Sequence, residues 1–409
     1  MTLVLLTLTA AFGLTTWLNP RGGLLLLVAL LPSYLLRTEL FGVPTTLLEL
    51  LLLTFVVLWT IKHRPAVSDL LPTRNILAPL VLLIAAATIS LFVAPDLMGA
   101  AGIWKAYFIE PILLFFIVRY ELIHAGITAE DLFKSLGLTA LILSLVAIFQ
   151  WITGAGLPIP WDIERRVTSV FDYPNALGLF LGPIVIIGGI HTRRVSKDIS
   201  TWFWPAVTIL SLIATALAQS EAAIVAIMAT LLLAGLVNKN TRRLTVAGTL
   251  ALGALVLLSP WRADVVGKLT LQDYSGQVRL SQWSETMNLL QDRWLLGTGL
   301  SGYPTALEPY HQATHYEIFQ YPHNIILNIW VELGLLGFIA VALLGWQLLA
   351  RGRSIKLASL AEYAALFALI EIAIHGLVDV PYLKNDLAIL TWLLIAILLY
   401  APQTHRSQK

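Results

Sequence analysis

Apolar runs of about 17–25 residues recur from one end of the chain to the other, separated by short segments that hold most of its charge. A helix needs about 20 such residues to cross a hydrocarbon core of roughly 30 Å, and a helix satisfies its own backbone hydrogen bonds there. The runs fall at about 2–18, 22–37, 43–61, 76–94, 104–123, 135–153, 173–190, 202–218, 221–237, 244–259, 324–349, 357–378 and 386–401. This pattern predicts an all-α, polytopic integral membrane protein of about 12–13 transmembrane helices. Composition agrees, because a chain 58% hydrophobic and 12% charged, with mean hydropathy +0.80, is too apolar for a soluble domain. Met1–Leu18 has neither a basic leader nor a small-residue cleavage site, so the first helix is expected to stay attached. The chain has no cysteine, which removes disulfides, iron–sulfur clusters and thiolate nucleophiles from its chemistry.

Basic residues set the orientation. Lys62, His63, Arg64 and Arg74, then Arg193, Arg194 and Lys197, Lys239 with Arg242 and Arg243, Arg351 to Lys356, and His405, Arg406 and Lys409 are expected on the cytoplasmic side. The domain plan is a bundle over 1–260, an extracytoplasmic loop over 261–323 that is partly helical, further membrane helices over 324–402, and a cytoplasmic tail over 403–409. The outward segments 154–172 and 260–323 hold Trp161, Trp261, Trp283, Trp294, Tyr303, Tyr310, Tyr316 and Tyr321, rings suited to a headgroup belt. Leu280, Trp283, Met287 and Leu290 recur at helical spacing, which predicts an interfacial helix resting on that apolar stripe.

An ionisable side chain at membrane depth marks a functional candidate, since burying it unpaired is unfavourable by several kcal/mol. Arg165, Arg166, Arg279, His323, His375 and Asp379 all fall at the outward ends of runs. Arginine presents a planar fork matched to phosphate oxygens, and histidine accepts a proton near neutrality. Together they suit group transfer from a phosphate-linked, membrane-held donor.

Three stretches carry a family resemblance. They are Arg166-Val-Thr-Ser-Val-Phe-x-x-Pro-Asn-x-Leu-Gly178, then Arg279-Leu-x-x-Trp283 followed by Trp-Leu-Leu-Gly-Thr-Gly over 294–299, and Pro-His-Asn-x-x-Leu over 322–327 followed by Glu-Leu-Gly-Leu-Leu-Gly over 332–337. This order resembles the O-antigen ligase and polymerase superfamily over roughly residues 75–400, most specifically over 165–340. The resemblance implies a metal-independent glycosyltransferase with no cofactor. It would move a glycan from an undecaprenyl-diphosphate carrier to a glycan, lipid or protein acceptor on the outer face of the bacterial cytoplasmic membrane. Matched by position, His323 would be the base, and Arg279 and Arg166 would hold the diphosphate.

Accessory candidates are Arg165, Asn175, Asn324, His375 and Glu221. Arg165 is an equal contender with Arg166 by chemistry. Asn175 also reads as a helix cap, Asn324 as a capping partner of His323, and His375 with Asp379 as a structural pair. Many relatives look like Ser-Arg at the turn where this chain has Ser220-Glu221, so Glu221 could pair with an active-site arginine instead. His311 and His315 have the i, i+4 spacing of a zinc pair but no third ligand nearby. Glu110 and Glu371 interrupt apolar runs, Glu332 reads as an anchor for helix packing, and Gly178 and Gly182 read as close-packing positions. The rival reading is a secondary transporter of an anionic or lipid-linked solute, but the sequence has no matching second half.

Overall fold

The computed structural model describes residues 1–40, 42–124, 126–192, 200–260, 262–353 and 360–400. Trp261, the cations Arg193, Arg194, Lys197 and Lys356, and the tail over 403–409 lie outside them. Among the described residues the protein is helical except for one hairpin, Arg37–Leu40 paired antiparallel with Val43–Thr46. Five helices are long and apolar enough to cross a membrane: Arg74–Val93, Leu97–His124, Ala129–Thr153, Pro174–His191 and Ile325–Arg353. Shorter apolar helices include Thr2–Leu18, Glu221–Val237 and Asn385–Leu399.

The Pro174–His191 helix is the centre of the bundle, with 89% of its apolar window buried. The Ala129–Thr153, Ser200–Leu217, Glu221–Val237 and Leu360–His375 helices pack around it. Two of its glycines make this possible. A Cβ on Gly178 would lie 2.4 Å from Ser220 Oγ, and one on Gly182 would lie 2.3 Å from Glu371 Oε1. Both act as the packing positions read from their spacing.

Several expected spans change shape. The run at 22–37 is helical only over Pro20–Ala29, passes through a 3-10 turn at Leu31–Leu35, and leaves as the hairpin. Pro32 has no N–H to continue the helix, and the polar Arg37-Thr38-Glu39 segment pairs as a strand instead. Thr46 then caps the Leu47–His63 helix through Glu49 N (3.2 Å). The gap at 95–103 between two expected spans is helical from Leu97 and joins the Glu110–His124 helix through a π-turn at Trp104–Ile109.

The run at 324–349 breaks at Gly334, whose φ of 64° and ψ of −169° belong to no helix. The Trp294–Gly299 stretch fills that break. Leu335 N donates to Leu295 O (3.0 Å), Thr298 N to Val331 O (2.6 Å), and Trp330 Nε1 to Trp294 O (2.8 Å). Ser90 Oγ donates to Glu332 O (2.8 Å) and accepts from Leu300 N (2.8 Å). The helix break leaves backbone groups without helical partners, and the crossing segment supplies new ones.

The helix Tyr274–Arg293 forms as expected. Of its apolar stripe, Leu280 and Met287 are about half exposed and Leu290 is buried, and Gln282, Glu285 and Thr286 are buried as well. Polar contacts hold that buried side. Glu285 accepts from Gln312 N (2.9 Å) and Ala313 N (3.0 Å) and meets His311 Nδ1 (3.0 Å), while Thr286 bonds the Tyr303 hydroxyl (2.8 Å). Tyr303 is therefore a core residue rather than a headgroup ring. Residues 167–169 likewise turn inward instead of lying along the surface. Gln150 accepts from Thr168 N (3.1 Å) and Ser169 N (2.7 Å) and donates to Ser169 O (2.8 Å).

Candidate active site

The loop from Gly376 to Lys384 follows the Leu360–His375 helix and leads into Asn385–Leu399. Neighbouring segments reach it at successive positions. Ile325 N donates to Gly376 O (2.7 Å), Asn324 Nδ2 to Leu377 O (2.9 Å), and Arg279 Nε to Val378 O (2.9 Å). His323 Nδ1 lies 3.5 Å from Asp379 Oδ1. Arg279 and His323, 44 positions apart by number, are thus brought to adjacent residues of one loop. Trp283, one helical turn after Arg279, donates from Nε1 to Pro322 O (2.8 Å), tying its helix to the residue before His323.

Local chemistry aims the histidine. Asn324 caps the Ile325–Arg353 helix through Ile326 N (3.0 Å) and Leu327 N (3.1 Å). His323 immediately before it has φ of 47°, a left-handed conformation that is unfavourable by about 1–3 kcal/mol outside glycine and persists where its surroundings hold it. The rings of Phe319 and Tyr321 pack edge-on against the imidazole, with centroids 5.1 and 5.0 Å away. At 3.5 Å the contact with Asp379 is longer than an ordinary hydrogen bond. Burial alone would raise the Asp379 carboxyl; His323, His375 and the Val380 amide together hold it below the usual carboxylate range. The site therefore presents an imidazole backed by a carboxylate, with a guanidinium next to it.

An apolar cavity of about 590 Å³ begins at Ile325 and runs between the broken helix and the last two helices to Leu349 and Leu369. Asn328 and Glu332 are among the few polar residues on its wall. Asn328 Nδ2 donates to Glu332 Oε2 (3.3 Å), and Ser301 N donates to Glu332 Oε1 (3.3 Å), so Glu332 anchors the crossing as well as the helix.

The other sequence candidates lie around this centre in different ways. Arg166 donates to Ala218 O (3.3 Å) and Gln219 O (3.4 Å) and stacks over Trp161, so its guanidinium closes the end of the Ser200–Leu217 helix. Arg165, next to it, donates to Trp151 O (3.3 Å) at the end of a different helix. The two arginines are not equivalent. Asn175 is not a cap: the cap position is Tyr173, and Asn175 sits in the first turn. Glu221 pairs with Lys268 on an exposed surface, not with an arginine of the site. His375 is buried, 3.4 Å from Glu371, and acts on Asp379 from behind. Both nitrogens of His311 are engaged, by Glu285 and by Tyr316 O (3.1 Å).

Sequence reasoning paired Asp379 with His375 alone, read Tyr321 as a headgroup ring, and passed over Tyr173 and Lys384. Tyr321 packs against the His323 ring, and the Lys384 ammonium lies 4.1 Å from the Tyr173 ring centre. The one available signal was the polar Val-Asp-Val-Pro-Tyr-Leu-Lys turn between two long apolar runs.

No curated protein matches the chain. The family model described as O-antigen ligase matches residues 206–342, a stretch that contains Arg279, the Trp294–Gly299 crossing and His323, and this match supports the chain's resemblance to the O-antigen ligase and polymerase superfamily.

Proposed function

We propose that the protein is an inverting glycosyltransferase that moves a glycan from an undecaprenyl-diphosphate carrier to an acceptor hydroxyl in cell-surface polysaccharide assembly. The reaction would take place on the outward side of the bacterial cytoplasmic membrane. The observation that carries this reading is the convergence of Arg279 and His323 on adjacent residues of the Gly376–Val380 loop. In the reaction, His323 takes the proton from the acceptor hydroxyl through the nitrogen not facing Asp379. The acceptor oxygen attacks the anomeric carbon, and the bond from that carbon to the phosphate oxygen breaks. The bonding electrons go to that phosphate oxygen, the diphosphate leaves still attached to its lipid, and attack opposite the leaving group inverts the anomeric centre. Asp379 orients the ring and stabilises the imidazolium as it forms. Arg279, with its Nε fixed on Val378 O, offers its terminal nitrogens to the charge growing on the leaving diphosphate.

The apolar cavity beside Ile325 suits a lipid tail entering from the bilayer, with the diphosphate at its polar end. Arg166 closes the 218–219 turn through Nε and Nη2, and a grip on the donor would fall to its remaining N–H groups.

The test is transfer by the purified, reconstituted protein from a defined undecaprenyl-diphosphate glycan to a panel of glycan, lipid and protein acceptors, with product anomeric configuration read by NMR. Inverted product that disappears in His323→Ala supports the assignment. Energised uptake of a solute without bond cleavage would replace it with the transporter reading.

A further inference from the structure

Lys384 stands at the last residue before the Asn385–Leu399 helix, partly buried, with its ammonium over the face of Tyr173. Its three N–H donors have no hydrogen-bond acceptor, and no carboxylate within 4.0 Å, among the described residues. A cation held out of water is normally paired, because the loss of hydration is unfavourable by several kcal/mol. A tyrosine face offsets part of that. Asp386, Asp379 and Asp172 act on the ammonium only from longer range; burial draws its pKa below the ordinary lysine value while they oppose that.

The position of this cation is specific. Lys384 ends the loop on which Val378 receives Arg279 and Asp379 faces His323, and its ammonium lies over Tyr173. The loop that carries the His323–Asp379 pair thus carries a positive charge of its own. A diphosphate carries more than one negative charge, and Arg279 has already given its Nε to a backbone carbonyl. We propose that Lys384 is a second cation for the donor's diphosphate, working beside Arg279 at the His323 site. This rests on the glycosyltransferase reading above and adds a catalytic residue to it. Lysine, a point charge on a flexible stem, follows a departing phosphate without the fixed geometry a guanidinium requires.

The test uses the full-length protein in lipid nanodiscs, with undecaprenyl diphosphate, inorganic pyrophosphate and undecaprenol as probes. Affinity is read by native mass spectrometry for wild type, Lys384→Met and Lys384→Arg. Lys384→Met should weaken undecaprenyl diphosphate binding by on the order of tenfold or more and lower donor kcat/KM by on the order of 10²-fold. Undecaprenol binding and acceptor KM should be unchanged, and Lys384→Arg should recover much of the loss. Wild-type protein gives an arm that needs no variant. Both phosphate probes should protect Lys384 from an amine-acylating reagent, read by peptide mass spectrometry, and undecaprenol should not. Absence of protection, or a folded Lys384→Met protein with wild-type diphosphate affinity, overturns the assignment of Lys384. A wild-type protein that neither binds undecaprenyl diphosphate nor transfers glycan overturns the underlying reading instead.

Discussion

Replacing Gly334 by alanine tests the crossing that shapes the broken helix. A Cβ there would sit 2.3 Å from Leu295 O and 2.7 Å from Leu296 C, both backbone atoms that cannot swing aside. The backbone angles, φ 64° and ψ −169°, fall in a region populated almost solely by glycine, and alanine there is disfavoured by about 1–3 kcal/mol. Relieving the clash separates the strands of the crossing and loses Leu335 N to Leu295 O and Thr298 N to Val331 O, at about 1 kcal/mol each. The sum is roughly 3–5 kcal/mol. Gly345, on the same helix, has no atom within 4 Å of its would-be Cβ. Gly345→Ala should therefore be neutral or stabilising by up to about 1 kcal/mol, the helix-propensity gain. Thermal unfolding of the two variants in the same detergent makes the comparison. Gly334→Ala should melt well below wild type and Gly345→Ala at or slightly above it. Equal melting temperatures for the two would refute the reasoning. Gly297→Ala should resemble Gly334→Ala, since its Cβ would lie 2.4 Å from Val331 O; the double variant should lose less than the sum, because both break one interface.

The remaining predictions concern the site and its supports. His323→Ala should lose transfer by on the order of 10²–10⁴-fold with an unchanged melting temperature, and an active variant would end its assignment as base. Arg279→Lys should raise donor KM and lower kcat, because an ammonium replaces neither the Val378 tie nor the two-pronged fork; unchanged donor affinity would count against it. Arg166→Ala should cost about 0.3–1 kcal/mol of stability from the loss of a helix-end cation, while donor KM stays near wild type; a large KM effect would return Arg166 to the diphosphate. Glu285 is held below the ordinary carboxylate pKa: burial raises it, but Ala313 N, His311 and Gln312 N together outweigh that. Its clamp on the 311–313 turn should be fully present above about pH 4.3 and fade as pH falls through the lowered value, so exchange of the Gln312 and Ala313 amides should accelerate only in that acid range. In Glu285→Gln the amides should exchange faster at all pH values, with the acid step gone.

The membrane class and the approach of Arg279 and His323 to one loop were legible because hydropathy and residue chemistry are local properties. The hairpin at 37–46 was not, since Leu24 to Leu36 is apolar enough to pass for a span and only Pro32 interrupts it. The buried polar side of the Tyr274–Arg293 helix was not legible for a related reason. Leu280 and Met287 follow the apolar rule, but buried Glu285 and Thr286 answer to partners that are distant in sequence. The roles of Arg165 and Arg166 separated only when each guanidinium found a different helix end. Lys384 gave no signal beyond its place in the 378–384 turn, because a lysine beside Asn-Asp at a helix start reads as an ordinary solvated residue.

Three of the four ties to the site loop end on main-chain oxygens: Gly376 O, Leu377 O and Val378 O. Any amino acid provides such an oxygen. The stretch is thus free to drift in identity at Leu377 and Val378 while it keeps Arg279 and His323 in register, whereas a single inserted or deleted residue would shift every tie at once. In a comparison across species, constancy of length between His375 and Asp379 would be the mark of this architecture, more than constancy of letters.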